Sequence, residues 1–249
     1  MPMSLTQTLK YLLVASFVSF LVQQTGDQFF GTHLLSIFGL TPNGFFSNHH
    51  YWQIFTYAFI HTDVVQLVFN LMILALVGSE LERTWGRTQF LAYYFFCTAA
   101  TGLIYLAASF AFVGGLPPLI GASGALYGLF TAYGLIFGER VLHFMMLFPM
   151  KAKHFTWILA GLQLMTAIYT PGGAVGGLIH LSGMATGFLY LLMRTKWVLI
   201  QRQRSRESVF ARASSTKKKK PRHLKLVSSR STELEAAEPG ADDRPKTWH

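Results

Sequence analysis

The chain has 249 residues, of which 51% are hydrophobic and 13% charged, with a formal net charge of +10. Long apolar runs separated by short polar breaks are typical of a polytopic membrane protein. The strict alternation of a membrane β-barrel is absent. The single cysteine, Cys97, excludes an internal disulfide and is interpreted as a packing residue.

Six segments are apolar enough to be interpreted as transmembrane helices, because a chain in lipid must satisfy its backbone polar groups internally. In chain order they run from Tyr11 to Val22, Val64 to Val77, Phe90 to Val113, Leu119 to Phe137, Phe155 to Tyr169 and Gly177 to Met193. The first has no small-x-small cleavage site and is interpreted as a retained helix. The stretch from Phe144 to Phe148 is expected to lie at the membrane interface. Residues 1–200 are therefore predicted to form one all-α membrane bundle.

Lys and Arg are confined to alternate breaks between these segments. Residues 23–63, 114–118 and 170–176 contain neither, whereas the other breaks contain Lys10, Arg83, Arg87, Arg140, Lys151, Lys153, Arg194 and Lys196. By the positive-inside rule, this pattern predicts that both termini of the six-helix bundle are cytoplasmic.

Residues 201–249 form a basic tail that holds 13 of the 21 Lys and Arg residues. Its last part, residues 228–249, is polar, mixed in charge and poor in core-forming residues, so the tail is predicted to be disordered. The favoured interpretation is a polybasic segment that lies on anionic cytoplasmic lipid. A nucleic-acid or nuclear-targeting role has no aromatic interleaving or fold to support it, and no nucleic-acid partner is expected.

His180 is the one His, Lys, Arg, Asp or Glu residue within the six segments. An ionisable side chain in lipid is costly and is interpreted first as functional, the alternative being a neutral imidazole hydrogen-bonded between helices. Ser123 follows the Pro117-Pro118 break by about five residues, and His180 follows the break at 172–176 by about four. Both are therefore expected some 6 to 8 Å into their helices from the same side.

Ser123 lies in the string GASGALYG, and Gly-x-Ser-Gly alone is equally typical of helix packing in membranes. Five glycines predict close contact between the fourth and sixth helices, namely Gly121, Gly124 and Gly128 with Gly183 and Gly187. An imidazole needs such an approach to take a proton from a Ser hydroxyl. Tyr127 lies on the same helix face as Ser123, where its ring could pack against the imidazole.

Together these motifs resemble the rhomboid intramembrane serine proteases. The matching strings are YWQIFTYAFIH from Tyr51, FN with Asn70, GSELERTWG from Gly78, GASGALYG from Gly121 and HLSGMATG from His180. The resemblance covers roughly residues 5 to 195. It implies a Ser-His dyad without a third carboxylate, with Ser123 as the nucleophile and His180 as general base and then general acid.

The resemblance also implies the supporting roles and the substrate class. The Ser123 N–H and Asn70 would meet the oxyanion, Tyr127 would support His180, and Gly121 would leave the hydroxyl open to a wet cavity. No cofactor or metal is implied. The implied substrates are single-pass membrane proteins cut near the outer membrane surface, and the implied location is the bacterial inner membrane.

Two positions depart from the family's usual pattern. Gln53 stands where the family usually has Arg, which leaves open how the apolar loop from Phe29 to Tyr51, similar to the family's interfacial loop, is anchored. Gln66 stands where the family commonly has His. Because Gln66 and Asn70 share a helix face, Gln66 is predicted to donate to the oxyanion or its ordered water. The alternative is that Gln66 only forms a hydrogen bond between helices.

Two other functions are compatible with a polytopic bundle. A pseudoprotease that binds membrane clients would keep the fold, but such relatives characteristically lose Ser or His, and both are present here. A transporter is disfavoured because the segments show no inverted repeat and contain no acidic residue for ion coupling. The predicted function is therefore that of a serine endopeptidase.

Overall fold

The computed structural model describes residues 5–111, 116–144, 148–170 and 173–217. The helices in chain order are α1 (Gln7–Phe29), α2 (Leu34–Phe38), α3 (Gln53–Thr56), α4 (Val64–Ile73), α5 (Ser79–Trp85), α6 (Arg87–Ser109), α7 (Ser123–Ile136), α8 (Ala152–Tyr169) and α9 (Ala174–Lys217). A π-helical segment, Leu74–Gly78, joins α4 to α5, and two short helical turns lie at Asn43–Ser47 and Tyr57–Phe59. Strands β1 (Val141–Phe144) and β2 (Phe148–Lys151) form one antiparallel hairpin.

A helix lies at each of the six predicted spans, and the predicted fold class, an all-α membrane bundle, is confirmed. Among the described residues, three helices are long and apolar enough to cross a bilayer: Val64–Trp85, Arg87–Ser109 and Ala174–Ser208. Helix α7 is apolar but has 14 residues. At about 1.5 Å per residue it is shorter than a bilayer core of about 30 Å. The count of six crossings stays a prediction.

The helix that carries Ser123 begins later than predicted. Residues 119–122 are not helical, because Leu119 pairs with Leu40 in a β-bridge and the N–H of Gly121 donates to the carbonyl of Tyr57 at 2.9 Å. Gly121 also has a φ of +89°, which is outside the helical region. Ser123 is therefore the first residue of α7, and the prediction that it lies five residues into its helix was wrong.

The ends of the stretch from Phe144 to Phe148 belong to the hairpin, where Phe144 pairs with Phe148. Pairing of the strands satisfies the backbone groups of these residues. The position of this stretch at the membrane interface stays a prediction.

The beginning of the basic tail is helical, where the sequence predicted disorder. The chain divides into two compact units, Met1–Ile200 and Gln201–His249. In the second unit, residues 201–217 are helical as the end of α9 rather than disordered. This stretch lacks Gly and Pro and is rich in Arg, a strong helix former. The remaining tail, residues 218–249, lies outside the described residues.

Helix α7 occupies the centre of the first unit. Ten of its 14 residues are buried, and it packs against α6 and α8. The Tyr93 hydroxyl of α6 donates to the carbonyl of Gly128 at 2.7 Å, which ties the two helices together. The outward faces of α1, α8 and α9 expose large apolar side chains, as a surface in contact with lipid does.

The segment from Leu34 to Thr56 is anchored by a neutral residue. Gln53 is fully buried, and its Nε2 donates to the carbonyls of Ser36 and Ile37, at 3.1 Å each. Its Oε1 accepts the N–H of Thr41 at 3.2 Å. The side-chain amide thus holds both sides of the segment, which answers how the loop is fixed without the family's usual Arg.

Candidate active site

Ser123 and His180 form the centre of the site. Ser123 Oγ lies 3.2 Å from Nε2 of His180, although the residues are 57 positions apart in sequence. Ser123 begins α7, and His180 lies two turns into α9. Both side chains are half-buried. This separation is within the range over which an imidazole can accept a hydroxyl proton.

Glycines bring the two helices that carry this pair into backbone contact. A Cβ added at Gly183 would lie 2.9 Å from the carbonyl carbon of Gly124, and one at Gly187 would lie 2.9 Å from the Cα of Gly128. A Cβ at Gly128 would lie 2.7 Å from the sulfur of Cys97 and 3.2 Å from the carbonyl oxygen of Gly183. Any larger residue at these positions would therefore push the helices apart.

The imidazole of His180 is also held on its face and at its second nitrogen. The Tyr127 ring stacks on it, with centroids 4.4 Å apart and planes inclined by 20°. The Oε1 of Gln163 accepts a hydrogen bond from Nδ1 at 2.8 Å. The Nε2 of the same amide donates to the Tyr127 hydroxyl oxygen at 2.5 Å. Three side chains therefore fix the ring.

Gln163 is the site residue that sequence reasoning missed. The search within the apolar segments was limited to ionisable side chains, and an amide carries no charge. The signal was nevertheless present, since Gln163 lies six residues before the end of α8 and His180 six residues after the start of α9. At about 1.5 Å per residue, both lie near 9 Å from the connection between these helices.

Hydrogen-bond donors collect on the other side of Ser123. As the first residue of α7, Ser123 has a backbone N–H without an intrahelical acceptor, at the positive end of the helix dipole. A Cβ added at Gly121 would lie 2.8 Å from Nε2 of Gln66 and 3.5 Å from Nδ2 of Asn70. The Nδ2 of Asn70 is buried and has no hydrogen-bond partner within the described residues. The site can thus present several donors to a developing oxyanion.

The start of α4 fixes the direction of Gln66. Asp63 caps this helix by accepting the N–H of Gln66 at 2.8 Å, and this bond, with a further one from Thr62, holds the pKa of the Asp63 carboxyl below its usual range. The Oε1 of Gln66 accepts the N–H of Thr62 at 3.0 Å. With its oxygen occupied, the carboxamide has only its NH₂ group to present to Gly121.

The arrangement does not resemble a metal centre. Within the part of the chain that the structure describes, no group of three or more His, Cys, Asp or Glu side chains could hold a metal ion. The chemistry that the residues can support is nucleophilic attack by a hydroxyl beside a base.

A hydroxyl and an imidazole paired within apolar helices define a polytopic membrane protein with a Ser-His site. The sequence matches the Rhomboid domain over residues 48–197, so the chain belongs to the rhomboid family and is an integral membrane protein. The matched range includes Asn70, Ser123 and His180. Residues 5–47, which the sequence analysis had included in the resemblance, lie outside it.

Proteins similar to this chain include two from bacteria and one from a plant. It is 27% identical over 146 residues to "Rhomboid protease GlpG" of Haemophilus influenzae, a range that covers 58% of this chain and 70% of that protein. It is 31% identical over 126 residues to "Rhomboid protease GluP" of Bacillus subtilis, covering 50% and 24%. Identity to "Rhomboid-like protein 15" of Arabidopsis thaliana is 28% over 160 residues, covering 60% and 38%.

Proposed function

We propose that this chain is an active intramembrane serine endopeptidase. The observation that carries the proposal is the 3.2 Å approach of Ser123 Oγ to His180 Nε2. Oγ attacks the carbonyl carbon of the scissile peptide while its proton passes to Nε2. The imidazolium then gives this proton to the leaving nitrogen, the C–N bond breaks, and an ester to Ser123 remains. Nε2 then takes a proton from water, which attacks the ester carbonyl carbon. The bond from this carbon to Oγ breaks, the proton passes from the imidazolium to Oγ, and the second product carries the new carboxyl group.

The donors near Gly121 stabilise the charged intermediate in this scheme. The oxyanion receives the Ser123 N–H and the Nδ2 of Asn70, with Gln66 as a further donor. A single central donor of this kind contributes about 10²–10³-fold to turnover in other serine hydrolases. The Nδ2 group of Asn70 is buried and has no partner among the described residues, which supports this assignment, because such a donor is costly unless a ligand satisfies it.

The substrates in this proposal are single-pass membrane proteins cut near the outer surface of the bacterial inner membrane. The absence of Lys and Arg from residues 23–63 and 170–176 supports an orientation with both termini in the cytoplasm. The start of α7, and Ser123 with it, then lies toward the outer side. The relatives named as rhomboid proteases support the reaction class.

The second unit has a separate role in the proposal, which is to bind anionic lipid. Its described helical part carries Arg202, Arg204 and Arg206 on exposed positions. Each basic residue near an anionic surface contributes about 1 kcal/mol to membrane attraction. Reconstitution of the full chain and of a form ending at Ile200 should reveal stronger recruitment of anionic lipid by the full chain.

The proposed reaction is tested with purified protein in detergent. The wild-type chain should cleave a single-pass membrane substrate and should react covalently with a fluorophosphonate, a reagent that labels activated serines. Ser123→Ala should do neither. A folded wild-type protein that neither cuts a panel of such substrates nor takes up the reagent would contradict the proposal and would point instead to a client-binding relative.

A further inference from the structure

The amide of Gln163 reaches the site from α8, a helix that contributes neither member of the dyad. One end of the amide bonds Nδ1 of His180 at 2.8 Å, and the other bonds the Tyr127 hydroxyl oxygen at 2.5 Å. One partner is the imidazole itself, and the other is the side chain whose ring stacks on the imidazole. The side chain is half-buried, and both ends of the amide are used.

We propose that Gln163 is a positioning residue for the general base and the third member of the catalytic unit with Ser123 and His180. This inference rests on the proposed protease function. Gln163 holds the imidazole in the tautomer and the orientation that allow Nε2 to take the proton of Ser123.

The tautomer follows from the chemistry of the amide. A neutral imidazole has one N–H donor and one acceptor nitrogen, and an amide oxygen can only accept. With Oε1 of Gln163 against Nδ1, the proton must reside on Nδ1, and the lone pair of Nε2 faces Ser123. The opposite tautomer would direct an N–H at the hydroxyl and could not act as a base.

Tyr127 contacts the end of the amide that faces away from the imidazole. Nε2 of Gln163 donates to the phenol oxygen, so rotation of the amide by half a turn would place its NH₂ group against Nδ1–H of His180. That arrangement would leave two donors facing each other. The stacked Tyr127 ring therefore supports the imidazole directly and also through Gln163.

The neutral amide suits a site surrounded by lipid. A carboxylate in this position would stabilise the imidazolium more strongly, but an unpaired charge is expensive while the imidazole is neutral. Among known nucleophile-His sites, a side-chain amide also orients the imidazole in the Cys-His-Asn arrangement. The amide of Gln163 gives orientation without placing a permanent charge within the bundle.

The local packing is shaped for this contact. A Cβ added at Gly177, one turn before His180, would lie 2.5 Å from the backbone carbonyl oxygen of Gln163 and 2.8 Å from Cβ of Ala167. Helices α8 and α9 therefore touch at the level of the imidazole. The two buried residues of α8, Ala152 and Phe155, lie near its other end, so core packing does not demand a long polar side chain at position 163.

The test compares Gln163→Ala and Gln163→Glu with the adjacent control Leu162→Ala in the full-length protein. Leu162 is 54% exposed and is on the same helix. The measurements are kcat and KM for a single-pass substrate, the pH dependence of Ser123 labelling by a fluorophosphonate, and the melting temperature. Among the residues that the structure describes, the titratable group in contact with the imidazole of His180 is the phenol of Tyr127.

Gln163→Ala should lower kcat by about 10-fold or more with KM nearly unchanged, since general-base catalysis as a whole contributes about 10²–10⁴-fold. Gln163→Glu keeps the acceptor and adds charge, so the acid limb of its labelling profile should move to higher pH by about one unit or more. Leu162→Ala should match the wild type in both measurements.

A merely structural Gln163 would lower the melting temperature and leave the pH profile in place. Wild-type kcat in Gln163→Ala, or a Gln163→Glu profile that superimposes on the wild-type profile, would overturn the inference. If Gln163→Ala does not fold, the Gln163→Glu profile decides. Failure of the wild type to cut or label is a different result, because it removes the proposed protease function itself and this inference with it.

Discussion

Replacement of Gly183 by Ala should separate the two helices that carry the dyad. A Cβ at this position would lie 2.9 Å from the carbonyl carbon of Gly124, whereas ordinary contacts begin at 3.4 Å. The neighbour is backbone and cannot rotate away. Helices α7 and α9 must therefore move apart by about 0.5 Å or more, because close-packed interiors absorb little extra volume.

This displacement reaches the dyad, because His180 lies one turn before Gly183 on the same helix. The Oγ–Nε2 distance of 3.2 Å is already at the upper end of the useful range of about 2.6–3.2 Å. A misplacement of about 1 Å can cost 10²-fold in turnover, so we expect kcat to fall by about 10–10²-fold. Overpacking should also destabilise the fold by about 1–3 kcal/mol, less the roughly 1 kcal/mol that Ala gains over Gly within a helix.

The assay measures kcat on a membrane substrate together with the melting temperature in detergent. Gly176→Ala is the matched control, since Gly176 is also in α9 and an added Cβ there meets no atom within 4 Å. The control should retain wild-type kcat and gain slightly in stability. A Gly183→Ala enzyme with wild-type kcat and melting temperature would refute the reasoning that backbone contact sets the distance between Ser123 and His180.

Three other predictions concern the dyad, the oxyanion donors and the loop after α7. Ser123→Ala and His180→Ala should each abolish most turnover, and the double variant should be no worse than either, as kinetics of residues that act as a unit require; additive losses would contradict this. Asn70→Ala should lower kcat by about 10²-fold with KM little changed, and Gln66→Ala by less, while Gln66→His should remain active; an unaltered kcat in Gln66→Ala would remove Gln66 from the site. Hydrogen bonds from Lys151 and Lys153 lower the pKa of Glu139 to about 2. Because this pKa is lowered in the folded state, the ionised carboxylate stabilises the fold at a pH above the ordinary carboxyl pKa, and this stabilisation is lost as the pH falls toward 2. The melting-temperature difference between wild type and Glu139→Gln should therefore shrink from pH 6 to pH 3. A constant difference would show that the ion pairs do not contribute.

The contact between Ser123 and His180 could be predicted from the sequence, because polar residues are easily recognised within apolar segments. An ionisable side chain in an apolar segment stands out against its neighbours, and small residues indicate where helices can approach. Gln163 did not stand out in the same way, because an uncharged amide is tolerated at more places within membrane helices. Counting residues from the connection between α8 and α9 would have put it at the level of His180.

The local backbone around Ser123 could not be predicted from a hydrophobic pattern. Whether residues 119–122 continue a helix depends on Leu40 and Tyr57, which are distant in sequence and supply the backbone partners of this segment. Glycine can adopt the positive φ of Gly121, but a glycine in the sequence does not by itself predict a positive φ. Tertiary hydrogen bonds therefore determine where α7 begins. A prediction from apolar composition alone started this helix too early in the sequence.

The neutral anchor of the segment from Leu34 to Thr56 has a consequence for the conditions under which the protein can work. Ion pairs weaken as dissolved salt shortens the screening distance, from about 10 Å at 0.1 M to about 3 Å at 1 M. The amide of Gln53 holds the backbone of Ser36, Ile37 and Thr41 without using any charge. This segment should therefore keep its place over a wide range of ionic strength, even where an arginine anchor would loosen.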